Sequence, residues 1–472
     1  MSFPVELQRA LQARSMESVL LPAQQSADHD RGEALKRLAS DLAKVDWDLL
    51  DRQRQALGQG AEAPTGRLEA PELKPSSQEN CAANDDAIEV GWQALREGRV
   101  ALATVAGGQA SRLGFDGPKG AYPLGSVTGA SLFQILAGKV QRLSQRCGRP
   151  LTWIIQTGPG NHQSTEHFFA QRNWFGLGRE NVELVCQGTL PALSPQGQFL
   201  LSEPGALFRN PDGHGGFYAA MQSSGCLDRL KQKGVETLFY CQVDNPLVRM
   251  GDPVFLGHHL LAKAQISVKV VEKKDPAEKV GLVVLMDDRT TCIEYSDLPE
   301  ALAKERAEDG GLRFRAGNIA VHAFSLSFLE AMANQGLPLH LARKQVSALP
   351  EPEAGKVSGL EAQPRDGVKF ETFVFDALQA ADRAVVQLAD REEEFAPVKN
   401  RSGSDSIATS RQAMNDQLRR WCQQALPGVK LAESGLTELA PGLALDQDDL
   451  RRRAGELALD FQNRLLHLAP RS

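Results

Sequence analysis

Residues Val105-Ala-Gly-Gly-Gln-Ala-Ser-Arg-Leu-Gly114, followed by Pro118-Lys119, combine glycines with fixed positive charge directly after an apolar run. Glycines in such a place let the backbone bend without Cβ clashes and expose N–H groups that cradle phosphate oxygens. Arg112 and Lys119 add cations suited to the charge that accumulates on phosphorus and on a departing pyrophosphate. An ordinary strand-to-helix turn and a Rossmann dinucleotide fingerprint are rivals for the glycines, but neither requires an Arg and a Pro-Lys at these offsets. The Gly-Lys-Ser/Thr order of a Walker A loop is absent. Asp244, in Tyr240-Cys-Gln-Val-Asp-Asn245, also follows an apolar run. Its carboxylate suits Mg²⁺, which prefers oxygen ligands and shares its sphere with water and substrate phosphates. An Asp capping the following loop is the plainer alternative.

The elements that must position these groups read as an α/β domain. Val100–Val105 has the apolar pattern of a buried strand, and strand-like runs recur at 151–156, 182–186, 237–243, 266–271, 281–286 and 319–324. Most are separated by stretches long enough for a crossover helix, such as 131–146, which predicts a mixed, mainly parallel, Rossmann-like sheet with helices on both faces. Ligands of such sheets sit outside the carboxyl ends of the strands. Upstream, Leu35, Leu38, Leu42, Val45 and Leu49 share one helical face, which predicts a docking helix over 28–56. Pro64, Pro71 and Pro75 lie in a polar connection over 58–84, and a helical pattern over 411–425 and 446–468 predicts a small C-terminal piece. The expected division is therefore 1–90, 91–400 and 401–472. The Arg451-Arg-Arg453 cluster reads as a charged helix face.

Composition excludes several classes. A formal charge of -6 gives no basic field for a nucleic-acid backbone. Seven cysteines without a CxxC pair argue for a reducing compartment, and nine histidines form no zinc spacing. The start has no long apolar core of a signal segment, and no run is long enough to span a bilayer, so a cytoplasmic protein is expected.

The glycine segment is similar to the nucleotide-binding signature of the eukaryotic-type UDP-N-acetylglucosamine pyrophosphorylases and their UDP-sugar pyrophosphorylase relatives, the UDPGP type 1 family. Ala110 and Ser111 replace the usual Gly and Thr. The resemblance runs in order from about Arg96 to Asn400 through LFQI, STEHFF, CQGTLPAL, PDGHGGFY, CQVDNPLV, VVEK, IEYSD, RAGNIA, GVKFETFVFD and FAPVKN. It implies the nucleotidyltransferase fold and a Mg²⁺-dependent in-line transfer. UTP and a sugar 1-phosphate are the substrates it implies, acted on by a monomer. By the same resemblance Val105, Ala106, Gly107 and Gly108 contact the nucleotide, Lys119 and Lys369 neutralise its phosphates, and Gln187 and Gly213 lie at the uracil. Asp244 holds the metal and nucleotide, and Arg112, Lys119 and Lys399 are the catalytic cations. Glu294, Tyr295, Asn318 and Lys399 face the sugar phosphate. His214 stands where N-acetylglucosamine enzymes usually carry Asn and glucose-handling relatives carry His. The overall resemblance implies N-acetylglucosamine 1-phosphate as the substrate, whereas His214 taken alone favours a smaller 2-substituent. Glucose 1-phosphate is the alternative, and a catalytically silent UDP-sugar-binding protein is a third reading.

Overall fold

The structure, a computed structural model, describes residues 3–58, 66–295, 297–351, 361–426, 435–460 and 465–468. Pro64, which the sequence placed in a connecting segment, lies outside the described residues. Two compact units emerge. The larger comprises Pro64–Gln187, Phe217–Gly336 and Phe375–Ser472; the smaller comprises Met1–Ala63, Gly188–Gly216 and Leu337–Val374.

The larger unit is built on a mixed sheet of eleven strands among the described residues. Eight of them follow one path and are labelled here β1 (Leu73–Lys74), β2 (Val100–Val105), β3 (Trp153–Thr157), β4 (Val182–Cys186), β5 (Thr237–Gln242), β6 (Ile266–Glu272), β7 (Ala316–Ser325) and β8 (Ala384–Leu388). Their spatial order is β1-β8-β6-β7-β5-β2-β3-β4. Neighbours are parallel except where β7 runs antiparallel to both β5 and β6. Every residue of β2 from Val100 to Thr104 is buried, and because successive side chains point to opposite faces, both faces of the sheet are covered here. The crossover from β2 to β3 is the helix Leu132–Cys147, begun by a capping box in which Ser131 and Gln134 exchange hydrogen bonds. Gln134 belongs to the LFQI run, so that motif encodes a helix start.

The C-terminal piece departs from its expected pattern. Ile407–Ala425 is helical, but the helix expected over 446–468 is only Gln447–Arg452. Leu457–Asp460 and Leu465–Leu468 instead pair antiparallel, and the latter pairs in parallel with Glu438–Leu439. Short apolar runs do not distinguish helix from strand by period; here the available partner strand decided. Arg451 lies in the last turn of the short helix and pairs with Asp448 at 2.6 Å. The piece is fastened to the helix Leu132–Cys147 and the loop before it: Arg142 makes a two-pronged contact to the buried Asp449 at 2.8 and 2.7 Å, and Glu438 accepts the N–H groups of Val127 and Thr128.

In the smaller unit the docking helix expected over 28–56 is two helices, Asp28–Leu42 and Trp47–Leu57. Asp46 breaks the run, because its side chain accepts Leu49 N–H at 3.0 Å and caps the second helix. Leu38, Leu42, Val45 and Leu50 then pack against Leu193, Phe199, Val368 and Phe370. The last two sit in the hairpin His340–Ala348 and Gln363–Glu371.

Candidate active site

Within the larger unit, four neighbouring parallel strands end side by side. Chain from each carboxyl end supplies a loop: Ala106–Gly108 after β2, Gly158 after β3, Gln187 after β4 and Asp244 after β5. The backbone N–H groups of Gly107, Gly108 and Gln109 donate to no group among the described residues, and Gly108 and Gln109 are exposed. A strand-end turn with three unspent amides is suited to an anion. The two glycines differ. A Cβ at Gly107 would lie 2.5 Å from Gln187 Oε1, whereas a Cβ at Gly108 meets nothing within 4 Å. A side chain at Gly107 would thus have to displace the Gln187 amide, and Gly108 leaves open space over the loop. Gln187 is itself buried, and its Oε1 receives Gln156 Nε2 at 3.4 Å from the adjacent strand.

Lys119 and Asp244 are brought together from 125 residues apart: Nζ donates to Oδ2 at 2.9 Å. The Lys119 backbone is also tied to the glycine turn, its N–H donating to Gly108 O at 3.1 Å. Arg112 is exposed on the same loop and makes no ion pair among the described residues, so its charge is available. Asp244 continues into Asn245, whose buried amide donates to Glu394 O at 2.7 Å and accepts Ala396 N–H at 3.1 Å. Asp244 O in turn accepts Val398 N–H at 2.9 Å. This stitching carries the chain to Lys399, whose Nζ is 3.8 Å from Asp405 and half-exposed.

Beneath that stitch lies a charge cluster that the sequence did not reveal. Lys269, on β6 and fully buried, donates to Asp252 Oδ2 at 2.6 Å and to Glu394 Oε2. Burial by itself would raise the Asp252 carboxyl, but Lys269 and Arg249 outweigh it and hold it at about 2. Burial raises Glu394 above the usual carboxylate range. Lys139 is a second missed residue. It donates to Pro246 O at 2.6 Å and Val248 O at 2.8 Å, bracing the loop after Asp244, and burial pushes its ammonium down to about 8. Only Asn245 carried a local signal, as the neighbour of Asp244 in the CQVDN run.

The remaining candidates of this unit sit apart from those loops in chain order. Glu294 and Tyr295 open a turn after the strand Arg289–Ile293, closed by Asp297 N–H to Glu294 O at 3.0 Å, and Tyr295 is 41% exposed. Asn318, on β7, turns its amide inward: Oδ1 accepts Ala320 N–H at 2.8 Å and Nδ2 reaches Cys292 Sγ at 3.5 Å.

The smaller unit holds the other three. Gly213 has φ +84, and a Cβ there would meet Thr372 O at 2.4 Å, so only glycine fits. His214 accepts Val374 N–H at its Nδ1 at 3.0 Å and stacks on Phe373, with centroids 5.2 Å apart. Phe373 stacks in turn on His340 at 4.1 Å. Burial, with a smaller effect of His340, pushes His214 down to about 4, so its ring is neutral at pH 7. Lys369 lies on the hairpin with its Nζ 5.4 Å from the Phe208 ring.

No group of three or more His, Cys, Asp or Glu that could enclose a metal occurs among the described residues. The donor set still fits Mg²⁺, which is held through one or two carboxylates and completed by phosphates and water. Asp244 offers one carboxylate beside the glycine turn, with Oδ2 shared with Lys119 and Oδ1 remaining. All seven cysteines are free thiols, and among the described residues no helix is long and apolar enough to cross a membrane.

Residues 61–434 match the family described as UTP--glucose-1-phosphate uridylyltransferase. The chain is 32% identical over 407 residues to a UDP-N-acetylglucosamine pyrophosphorylase of Saccharomyces cerevisiae, covering 83% of this chain and 84% of that protein. It is 36% identical over 389 residues to UDP-N-acetylglucosamine diphosphorylase 2 of Arabidopsis thaliana, covering 78% and 75%. Its fold is similar to a crystal structure of the uridine diphosphate N-acetylglucosamine pyrophosphorylase of Trypanosoma brucei in complex with inhibitor. That match has a TM-score of 0.81 at 24% identity and covers 96% of this chain and 95% of that one.

Proposed function

This chain belongs to the UTP--glucose-1-phosphate uridylyltransferase family, and from that premise we propose that it joins UTP to N-acetylglucosamine 1-phosphate, releasing pyrophosphate and making UDP-N-acetylglucosamine. The observation that carries this reading is the convergence, at four parallel strand ends, of three unspent amides with Arg112, Lys119 and Asp244. The names of the yeast and plant relatives support the choice of sugar.

The chemistry follows from the groups present. A phosphate oxygen of the sugar 1-phosphate attacks the α-phosphorus of UTP in line, an O–P bond forms, and the bond to the bridging oxygen of pyrophosphate breaks. The attacking group is already an anion at neutral pH, so no general base is needed, and the rate comes from alignment and charge neutralisation. The amides of Gly107, Gly108 and Gln109 receive the triphosphate, while Arg112 and Lys119 neutralise the departing pyrophosphate. Lys369 adds charge at the nucleotide and Lys399 at the sugar phosphate. Gln187 offers an amide to the uracil edge and Gly213 a backbone without a side chain beside it. Asp244 would hold Mg²⁺, which would supply Lewis-acid neutralisation of the phosphate oxygens. Glu294, Tyr295 and Asn318 supply donors and acceptors for the sugar, and position 214 bears on which sugar is taken. The protein acts as a cytoplasmic monomer.

Glucose 1-phosphate is the second reading, favoured by one observation: the residue at position 214 is a neutral, stacked imidazole and not an amide. Mixing the protein with UTP, Mg²⁺ and a panel of sugar 1-phosphates, and measuring pyrophosphate release, tests both. Release is expected first with the N-acetylated sugar. Silence across the panel with UDP-sugar binding intact would replace the enzyme reading with a regulatory one.

A further inference from the structure

Asn161 stands at the start of the helix His162–Ala170, a place where an Asn side chain ordinarily caps its own helix. It makes no such cap bond. The side chain is turned back across the strand ends and is 1% exposed. Its Nδ2 donates to Ala106 O at 2.9 Å and to Gly108 O at 3.2 Å, and its Oδ1 accepts Gly158 N–H at 2.8 Å. Both amide hydrogens and the carbonyl are thus committed to the loops after β2 and β3.

The consequence lies in peptide geometry. In a trans peptide the C=O and the following N–H point in opposite directions. Asn161 holds the carbonyl of Ala106, so Gly107 N–H points away from it; it holds the carbonyl of Gly108, so Gln109 N–H does the same. The intervening Gly107 carbonyl is packed against Gly158, where a Cβ would come within 2.9 Å of that oxygen. Gly108 N–H therefore faces out as well. We propose that Asn161 is a positioning residue for the nucleotide: one buried amide draws the carbonyls of the glycine turn inward and leaves three successive N–H groups aimed at the triphosphate. Without it, the Ala106 carbonyl loses the amide that draws it inward and the Gly108 carbonyl is held by Lys119 N–H alone, so the turn is less firmly set against presenting oxygen to the anion. The inference rests on the nucleotide-binding reading of this turn.

The test compares wild type with Asn161→Asp, which keeps the shape, removes both donors and sets a negative charge against two carbonyls. UTP affinity is measured by calorimetry, and KM for the sugar 1-phosphate at saturating UTP. UTP should bind at least about tenfold more weakly, kcat should fall, and KM for the sugar should change less than about twofold. If Asn161→Asp does not fold, Asn161→Ser, which retains one smaller donor, should show the same split with a smaller loss. Unchanged UTP affinity in a folded variant, or an equal loss for both substrates, overturns the assignment. Failure of wild type to bind UTP would instead overturn the functional reading on which it rests.

Discussion

The two halves of the proposed site in the larger unit are built differently. Where the phosphates react, Lys119 is held by Asp244, the Asp244 loop by Asn245 and Val398, and the segment leading to Lys399 by Glu394 and the buried Lys269. On the sugar side, Tyr295 is 41% exposed in a turn, and Asn318 divides its amide between its own strand and Cys292. Charge that acts on phosphorus must sit at a fixed place before the reaction begins, because reorganisation then costs nothing in the transition state. Recognition of sugar hydroxyls needs only complementary donors and acceptors, and an exposed turn supplies them by adjusting on binding. The rigid half is thus assigned to the step shared by all sugars, and the open half to the choice among them.

Substitutions can break this contrast. The largest effect is expected for Lys119→Ala, which removes the cation tied to both the glycine turn and Asp244: kcat should fall by about 10²–10³-fold with the melting temperature unchanged. Near-normal turnover in the folded variant would remove Lys119 from the mechanism. Asp244→Asn keeps the shape and loses the negative charge, so activity should fall by about 10²-fold and return only in part at high Mg²⁺. An unchanged Mg²⁺ dependence would show that the cation is held elsewhere.

Gly107→Ala sharpens the comparison, because its Cβ would displace the Gln187 amide from 2.5 Å. KM for UTP should rise by about tenfold and discrimination against CTP should weaken, with kcat less affected; kinetics with both nucleotides decide it. The smallest expected effect is His214→Asn. Exchanging a stacked ring for an amide should move the kcat/KM ratio towards the N-acetylated sugar by a few-fold, on the order of 1 kcal/mol. A ratio that stays fixed, or moves towards glucose 1-phosphate, would remove position 214 from sugar selection.

Local chemistry was legible in the chain. An apolar run ending in two glycines states both a buried strand and a turn without Cβ atoms, and Asp244 after a second such run places a carboxylate at the end of a parallel strand. The positions of β2 to β7 followed from the same runs. β1, β8 and the hairpin strands were not expected from such runs, and two expected helices changed: Asp46 split the helix expected over 28–56, because a cap three residues before Leu49 competes with an otherwise continuous apolar face. The C-terminal strands took the place of a helix because a partner strand was within reach.

What the sequence determined by itself is therefore the set of strand ends and the charged or glycine residues attached to them, since each depends on contacts within a few residues. What only the tertiary structure decided is how those ends are held. Asn161 reaches back 55 residues to Ala106, Lys269 reaches 125 residues to Glu394, and Gln187 occupies the space that a side chain at Gly107 would need. Such partners leave no periodic mark, because a buried hydrogen bond is specified by where two distant side chains arrive and not by the residues on either side of them.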